Sequence, residues 1–215
     1  MNDINTLRLT GLFKKELTPV NIIGCGAIGS KVALEVAKLG CDNITLWDFD
    51  KVESHNLSNQ VFTKKCIGMQ KVDALKTIIQ QTCSPDIEAI NEEYTSEPLV
   101  GIVFLCVDSM KTRREIVSRI IMQPHVPYII ETRMGIDEVR CYVITRDKYD
   151  LWKEFSNYED SNSEVSACGT SLTVGATASI VASIATWQYM KLHMNKRPEF
   201  EVTLSTDGFG LLTGE

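Results

Sequence analysis

The stretch NIIGCGAIGS, residues 21–30, limits the folding of this chain more than any other. Gly24, Gly26 and Gly29 follow an apolar run, TPVNII, and precede AIGSKVALEVAKLG, whose apolar residues recur at helical spacing up to Gly40 in the C-terminal capping position. Strand, glycine turn and helix in that order open a βαβ unit. In such a unit the first glycine permits the tight turn, the second lets a ligand approach the backbone and the third lets helix and strand pack closely. The helix N-terminus beneath them favours negative charge. Gly24, Gly26 and Gly29 are therefore candidate nucleotide-binding residues, although the glycines alone do not say which nucleotide.

The alternation continues along the chain. NITLWDF reads as a second strand, GMQKVDALKTIIQQTC as a helix ending before Ser84 and Pro85, and DIEAINEEY as a half-buried strand. VGIVFLCVD is apolar enough for a central parallel strand, SMKTRREIVSRIIMQ supplies the next helix, and VPYIIETRMG and EVRCYVITRD are two strands joined by a turn around Gly135 and Asp137. FEVTLSTDG gives a last strand. The uncharged segment 172–190 carries six Ser, Thr or Gln residues, which lowers its hydropathy below that of a spanning helix, so it reads as a helix buried on most sides. The expectation is an α/β protein: a Rossmann-like, mostly parallel sheet with helices on both faces, in a single domain over residues 1–215. Residues 1–18 form an N-terminal extension. Residues 149–167, acidic, rich in Ser and Asn and without a sustained period, read as a crossover loop. Ligands of such a sheet bind beyond the carboxyl ends of its strands.

A net charge of −6 and the lack of a basic stripe argue against nucleic acid as a partner. The seven cysteines are odd in number and form no CxxC pair, and several sit in apolar runs where a thiol packs as a small hydrophobe. With no signal peptide, the expected setting is reducing and cytoplasmic, with no membrane attachment. The three histidines lie far apart in the sequence and receive no role.

Asp48 ends the second strand at the distance from the glycines where a carboxylate accepts hydrogen bonds from ribose hydroxyls. That much suits NAD. The dense polar segment that follows, DFDKVESHNLSNQVF, does not. Together, GCGAIGS, WDFDKVESHNLSNQVF, IGMQK and CVDSMKTRRE resemble, in order and spacing, the adenylation domain of the ubiquitin-activating enzymes and their bacterial relatives, the ThiF/HesA/MoeB family. The similarity covers residues 19–146 well and the C-terminal helix more loosely.

The resemblance implies an ATP- and Mg2+-dependent adenylyltransferase that activates the C-terminal carboxylate of a ubiquitin-like protein or a peptide, working as a homodimer. By position it implies Asp48 at the ribose, Asp50 as a second acidic group, and Asn56 and Gln60 shaping the site and touching phosphate. Lys71 would reach the α-phosphate and Asp108 would hold the magnesium ion. Each residue has a plainer alternative. Asp50 is also suited to capping the NLSN turn, Asn56 and Gln60 to bonding loop backbone, Asp108 to capping the next helix, and Arg113 and Arg114, which repeat the family's paired basic residues after Asp108, to a solvated helix face.

The chain departs from the family pattern at Asn59, where an arginine that would neutralise phosphate is usual. Lys64 or Lys65 is a candidate replacement for that charge. Arg8 is the candidate for the arginine that crosses into the partner's site in dimeric members. Cys168 matches a cysteine that becomes acylated or persulfide-linked in some members, and a helix N-terminus would favour its thiolate. Two other readings stand beside adenylation. An NAD-dependent oxidoreductase would leave Lys71 and Asp108 without a purpose, and a non-catalytic scaffold would bind nucleotide and a ubiquitin-like partner without chemistry.

Overall fold

The computed structural model describes residues 9, 11–12, 17–83, 85–158 and 174–214. Strand β1 (Val20–Ile23) is buried along its whole length because it runs between two parallel neighbours, β2 (Asn43–Trp47) and β4 (Ile102–Leu105). Outside β2 lies β3 (Asp86–Ile90), and outside β4 lies β5 (Ile129–Met134), both parallel to their neighbours. The sheet then changes character. Strands β6 (Glu138–Ile144), β7 (Glu201–Ser205) and β8 (Gly210–Gly214) join antiparallel, completing the order β3-β2-β1-β4-β5-β6-β7-β8.

Helices α1 (Gly29–Lys38), α2 (Lys71–Thr82) and α3 (Met110–Ile120) connect the parallel strands. After β3 the chain crosses back to place β4 on the other side of β1, so the strand order reverses between β1 and β4. That reversal opens the crevice in which α/β sheets hold their ligands.

Alternation along β1 sends its residues to opposite faces. Ile22 joins a core with Val32 and Val36 of α1, Leu75 and Ile79 of α2, and Val181 and Ala185 of α5 (Gly175–His193). Ile23 joins a second core with Ile116 and Ile120 of α3 and Trp152. In α5, Ala178, Val181, Ala182, Ala185 and Tyr189 are buried, and Trp187 is exposed. Small residues bring this helix close to α1, where the Ser183 hydroxyl donates to Glu35 Oε1 at 3.1 Å. Among the described residues no helix is long and apolar enough to cross a membrane.

Two expectations need correction. The segment expected as a crossover loop from residue 149 begins with helix α4 (Tyr149–Phe155), anchored by the fully buried Trp152. Seven residues are too few to show a period, so an anchoring aromatic reads as loop in sequence. The strand FEVTLSTDG is not the last, because the chain turns through Phe209 at φ +50° and returns as β8. Leu211 and Leu212 of that edge strand are exposed, so no buried-face alternation marked it.

Candidate active site

The glycine loop leaves β1 at the carboxyl edge of the sheet, directly against the end of β4. Gly24 has φ +90°, and a Cβ there would stand 2.8 Å from the Cys106 carbonyl oxygen. A Cβ on Gly29 would stand 1.8 Å from the Gly24 carbonyl oxygen. Both positions are thus fixed by packing. Gly26 differs, with nothing within 4 Å of an added Cβ, so the loop has open space on that side. Helix α1 starts beneath it with no side-chain cap and no acidic residue in its first turn, which leaves its N-terminal partial charge to an anion.

Asp48 ties the end of β2 to this loop. Its Oδ2 accepts from the Cys25 amide at 2.7 Å and its Oδ1 from the Asp50 amide at 2.8 Å. Burial raises its pKa above the ordinary value, an effect that Lys71 and the two amides oppose. The two thiols in contact with the loop are held neutral. Burial pushes Cys25 well up and Cys106 to about 11.

The polar segment after β2 folds back on residues 68–71. Lys51 and Gln70 form an antiparallel bridge, the Val52 amide donates to the Met69 carbonyl at 2.8 Å, and the Lys71 amide donates to the Asp50 carbonyl at 2.9 Å. This return brings Lys71 Nζ within 2.7 Å of Asp50 Oδ2. Lys71 is 8% exposed, a buried ammonium at the first residue of α2, where the helix dipole disfavours it. Asp50 therefore acts as its counter-ion and does not cap the NLSN turn.

That turn is closed by its own residues. Glu53 and Asn56 form a capping box around a 3₁₀ helix (Ser54–Ser58), in which Asn56 Oδ1 accepts from the Glu53 amide at 2.8 Å. Asn56 thus bonds loop backbone, as its plainer reading held. Gln60 Oε1 is buried without a hydrogen-bond partner among the described residues. Asn59 sits under the start of α5, its Cα 3.5 Å from where a Cβ of Gly175 would stand. Asp108 follows β4 two residues beyond the Cys106 carbonyl that abuts Gly24, and its side chain is exposed. Ser109, not Asp108, caps α3, accepting from the Thr112 amide at 3.3 Å.

Arg113 corrects another expectation. It is 5% exposed, pairs with Glu131 and donates to the Thr132 carbonyl. Glu131, wholly buried, also accepts from Arg133 Nε at 2.8 Å and from Trp152 Nε1 at 3.2 Å. Arg133 continues to Ser156 Oγ at 2.7 Å and the Phe155 carbonyl at 2.9 Å, under the Tyr142 ring at 4.5 Å. Burial is the largest influence and works against its charge, but Glu131, Tyr158 and Tyr142 together outweigh it and raise the pKa. Arg114 donates to the Ser156 and Tyr158 carbonyls at 2.9 and 2.7 Å. The sequence signal for this cluster was the charged pair in IIETRM, alternating on one face of an otherwise apolar strand. Arg8 and Cys168 lie outside the described residues.

Gly24, Gly26, Asp48, Asp50 and Lys71 are thus gathered at one crevice, with Asp108 on its β4 rim. A model of the ThiF family matches residues 4–209. Over 208 residues the chain is 27% identical to the sulfur carrier protein ThiS adenylyltransferase of Escherichia coli, covering 88% of this chain and 77% of that one. It is 30% identical over 122 residues to the molybdopterin-synthase adenylyltransferase of Haemophilus influenzae, covering 53% of this chain and half of that one. Among solved structures, PaaA superposes with a TM-score of 0.73 at 24% identity over 94% of this chain, and E. coli MccB with ATP at 0.69 and 15% over 92%. The chain spans 64% and 63% of the lengths of those two solved chains.

Proposed function

Because this chain belongs to the ThiF family, we propose that it uses ATP to adenylate the C-terminal carboxylate of a ubiquitin-like protein or a peptide. The carrying observation is the buried Lys71 ammonium, held by Asp50 beside a glycine loop with open space at Gly26. A carboxylate attacking the α-phosphate is an anion approaching an anion, and fixed cations and dipoles at the crevice lower that barrier. Lys71 and the N-terminus of α1 supply them. Asp48 accepts from the ribose.

Asp108 fits magnesium. Its exposed carboxylate at the rim of the crevice is a hard oxygen ligand. A site of that kind suits an ion that takes the rest of its shell from water and phosphate. When bound, the ion neutralises phosphate charge. An NAD-dependent oxidoreductase would leave the Lys71–Asp50 pair without a use.

A homodimer in which Arg8 reaches the partner's site, acyl transfer to Cys168 and a cytoplasmic setting belong to the same reading. ATP/pyrophosphate exchange with candidate carboxyl-terminal partners tests it. The expected signal depends on the partner and is lost in both Lys71→Ala and Asp108→Ala. Exchange that survives both variants removes Lys71 and Asp108 from the reaction, and ATP binding without exchange in wild type overturns adenylation and favours the scaffold.

A further inference from the structure

Glu131 is wholly buried on β5, although nothing in the chemistry of the crevice uses it. It lies in register with Leu105, the last residue of β4, and so stands beside the strand that leads to Asp108. Three donors converge on it. Arg113 and Arg133 bring guanidinium groups, and Trp152 Nε1 donates at 3.2 Å. Buried ion clusters add little stability over apolar packing. What a guanidinium fork adds is a fixed distance and angle between the elements it joins.

The elements joined here are the two that flank Asp108. The Arg113 amide donates to the Ser109 carbonyl at 2.9 Å in the first turn of α3, and its guanidinium reaches across to Glu131 and to the Thr132 carbonyl. That fastens the start of the helix to β5. On the other side, Thr132 Oγ1 donates to the Leu105 carbonyl at 3.4 Å and to Cys106 Sγ at 3.5 Å, while the Cys106 amide donates to the Ile23 carbonyl at 2.8 Å. That fastens the end of β4. Only Val107 and Asp108 lie between Cys106 and Ser109. Asp108 does not cap α3, a place taken by Ser109, and its side chain is exposed. Its direction is therefore set by its backbone, which β5 holds on both sides.

We infer that Glu131 is a positioning residue for Asp108, acting through Arg113 to aim that carboxylate at magnesium in the crevice. The inference rests on the ATP and magnesium reading above and adds to it the buried residue that keeps the metal ligand in place. A ligand anchored in this way binds its metal more tightly, because less ordering is left to the binding step.

The test is calorimetric titration of each protein with ATP, once in excess Mg2+ and once in EDTA, alongside melting temperatures without nucleotide. The quantity read is the factor by which Mg2+ tightens ATP binding. Glu131→Gln keeps the shape of the side chain and removes its charge, and should lower that factor about tenfold while leaving ATP affinity in EDTA unchanged. Trp152→Phe takes a different donor from the same carboxylate and leaves the Arg113 contact in place. It should melt at a lower temperature with the Mg2+ factor of wild type. A Glu131→Gln protein that melts lower but keeps the full factor overturns the inference, and so does an equal loss of the factor in Trp152→Phe; both leave the ATP reading intact. Wild-type ATP binding that is indifferent to Mg2+ overturns the magnesium assignment and the inference with it, and no ATP binding by wild type overturns the ATP reading as well. Should Glu131→Gln fail to fold, Arg113→Lys, which keeps the charge but lacks the fork that holds Glu131 and the Thr132 carbonyl together, decides by the same factor.

Discussion

Lys71 Nζ and Asp50 Oδ2 lie 2.7 Å apart, with the lysine side chain 9% exposed and the aspartate 53% exposed. The two residues are also joined through backbone, so the ammonium has no freedom to withdraw into solvent. In Asp50→Asn the buried cation loses its counter-charge. The expected loss is about 1 kcal/mol, discounted because the carboxylate is half in water. Bound ATP replaces the missing negative charge, so the rise in melting temperature on adding ATP should be larger in Asp50→Asn than in wild type. An equal rise would mean that no phosphate reaches Lys71.

Gly26→Ala and Gly29→Ala should separate binding from folding. The first adds a methyl to open space and should change stability by less than about 0.5 kcal/mol while weakening ATP binding. The second drives a Cβ into the Gly24 carbonyl and should unfold the loop or lower the melting temperature sharply. Thermal melts with and without ATP check both.

Asp48 gives a pH dependence of unusual sign. Its folded pKa lies above the ordinary 3.8, so the folded state binds more protons than the unfolded state between those two values. Stability from this group therefore rises as pH falls through the folded pKa toward 3.8, and the burial penalty is fully felt above it. Comparing denaturant midpoints of wild type and Asp48→Asn from neutral pH down to about 4, the difference should move in favour of wild type.

Asn59→Arg restores the cation usual in the family, at the turn beneath the start of α5. Pyrophosphate exchange should rise by about tenfold, well below the full effect of an arginine acting on phosphate, since Lys71 already supplies one positive charge. Unchanged exchange would place residue 59 outside the reach of the phosphates.

Glu131→Gln leaves Arg113 and Arg133 buried around a neutral side chain. Removing one partner from such a cluster costs about 3 kcal/mol, and denaturant melts should show a lower midpoint with an unchanged slope. Because Arg133 and Arg114 together hold the end of α4, protease cleavage near residues 155–158 should also quicken in the variant.

Apart from α4, the order of strands and helices as far as β7 and the glycine loop were legible in the sequence, where Asp48, Lys71 and Asp108 also stood out as candidates. These are local facts: a turn that only glycine fits, a helical or twofold period, an acid at a strand end. The pairing of Asp50 with Lys71 was not legible, because it depends on an antiparallel return between residues 51 and 70. Arg113 looked like a solvated charge, since a helix's own period does not reveal that Glu131 lies under it. Helix α4 and strand β8 were missed for the opposite reason, being too short or too exposed to impose a period. That Gln60 Oε1 stands unpartnered among the described residues is invisible along the chain, because a polar atom is unsatisfied only relative to everything packed around it. The sequence by itself determined the backbone path and the residue types at the crevice. Tertiary packing decided which charges are buried and what each one meets, because burial and pairing arise from contacts between residues far apart in the chain.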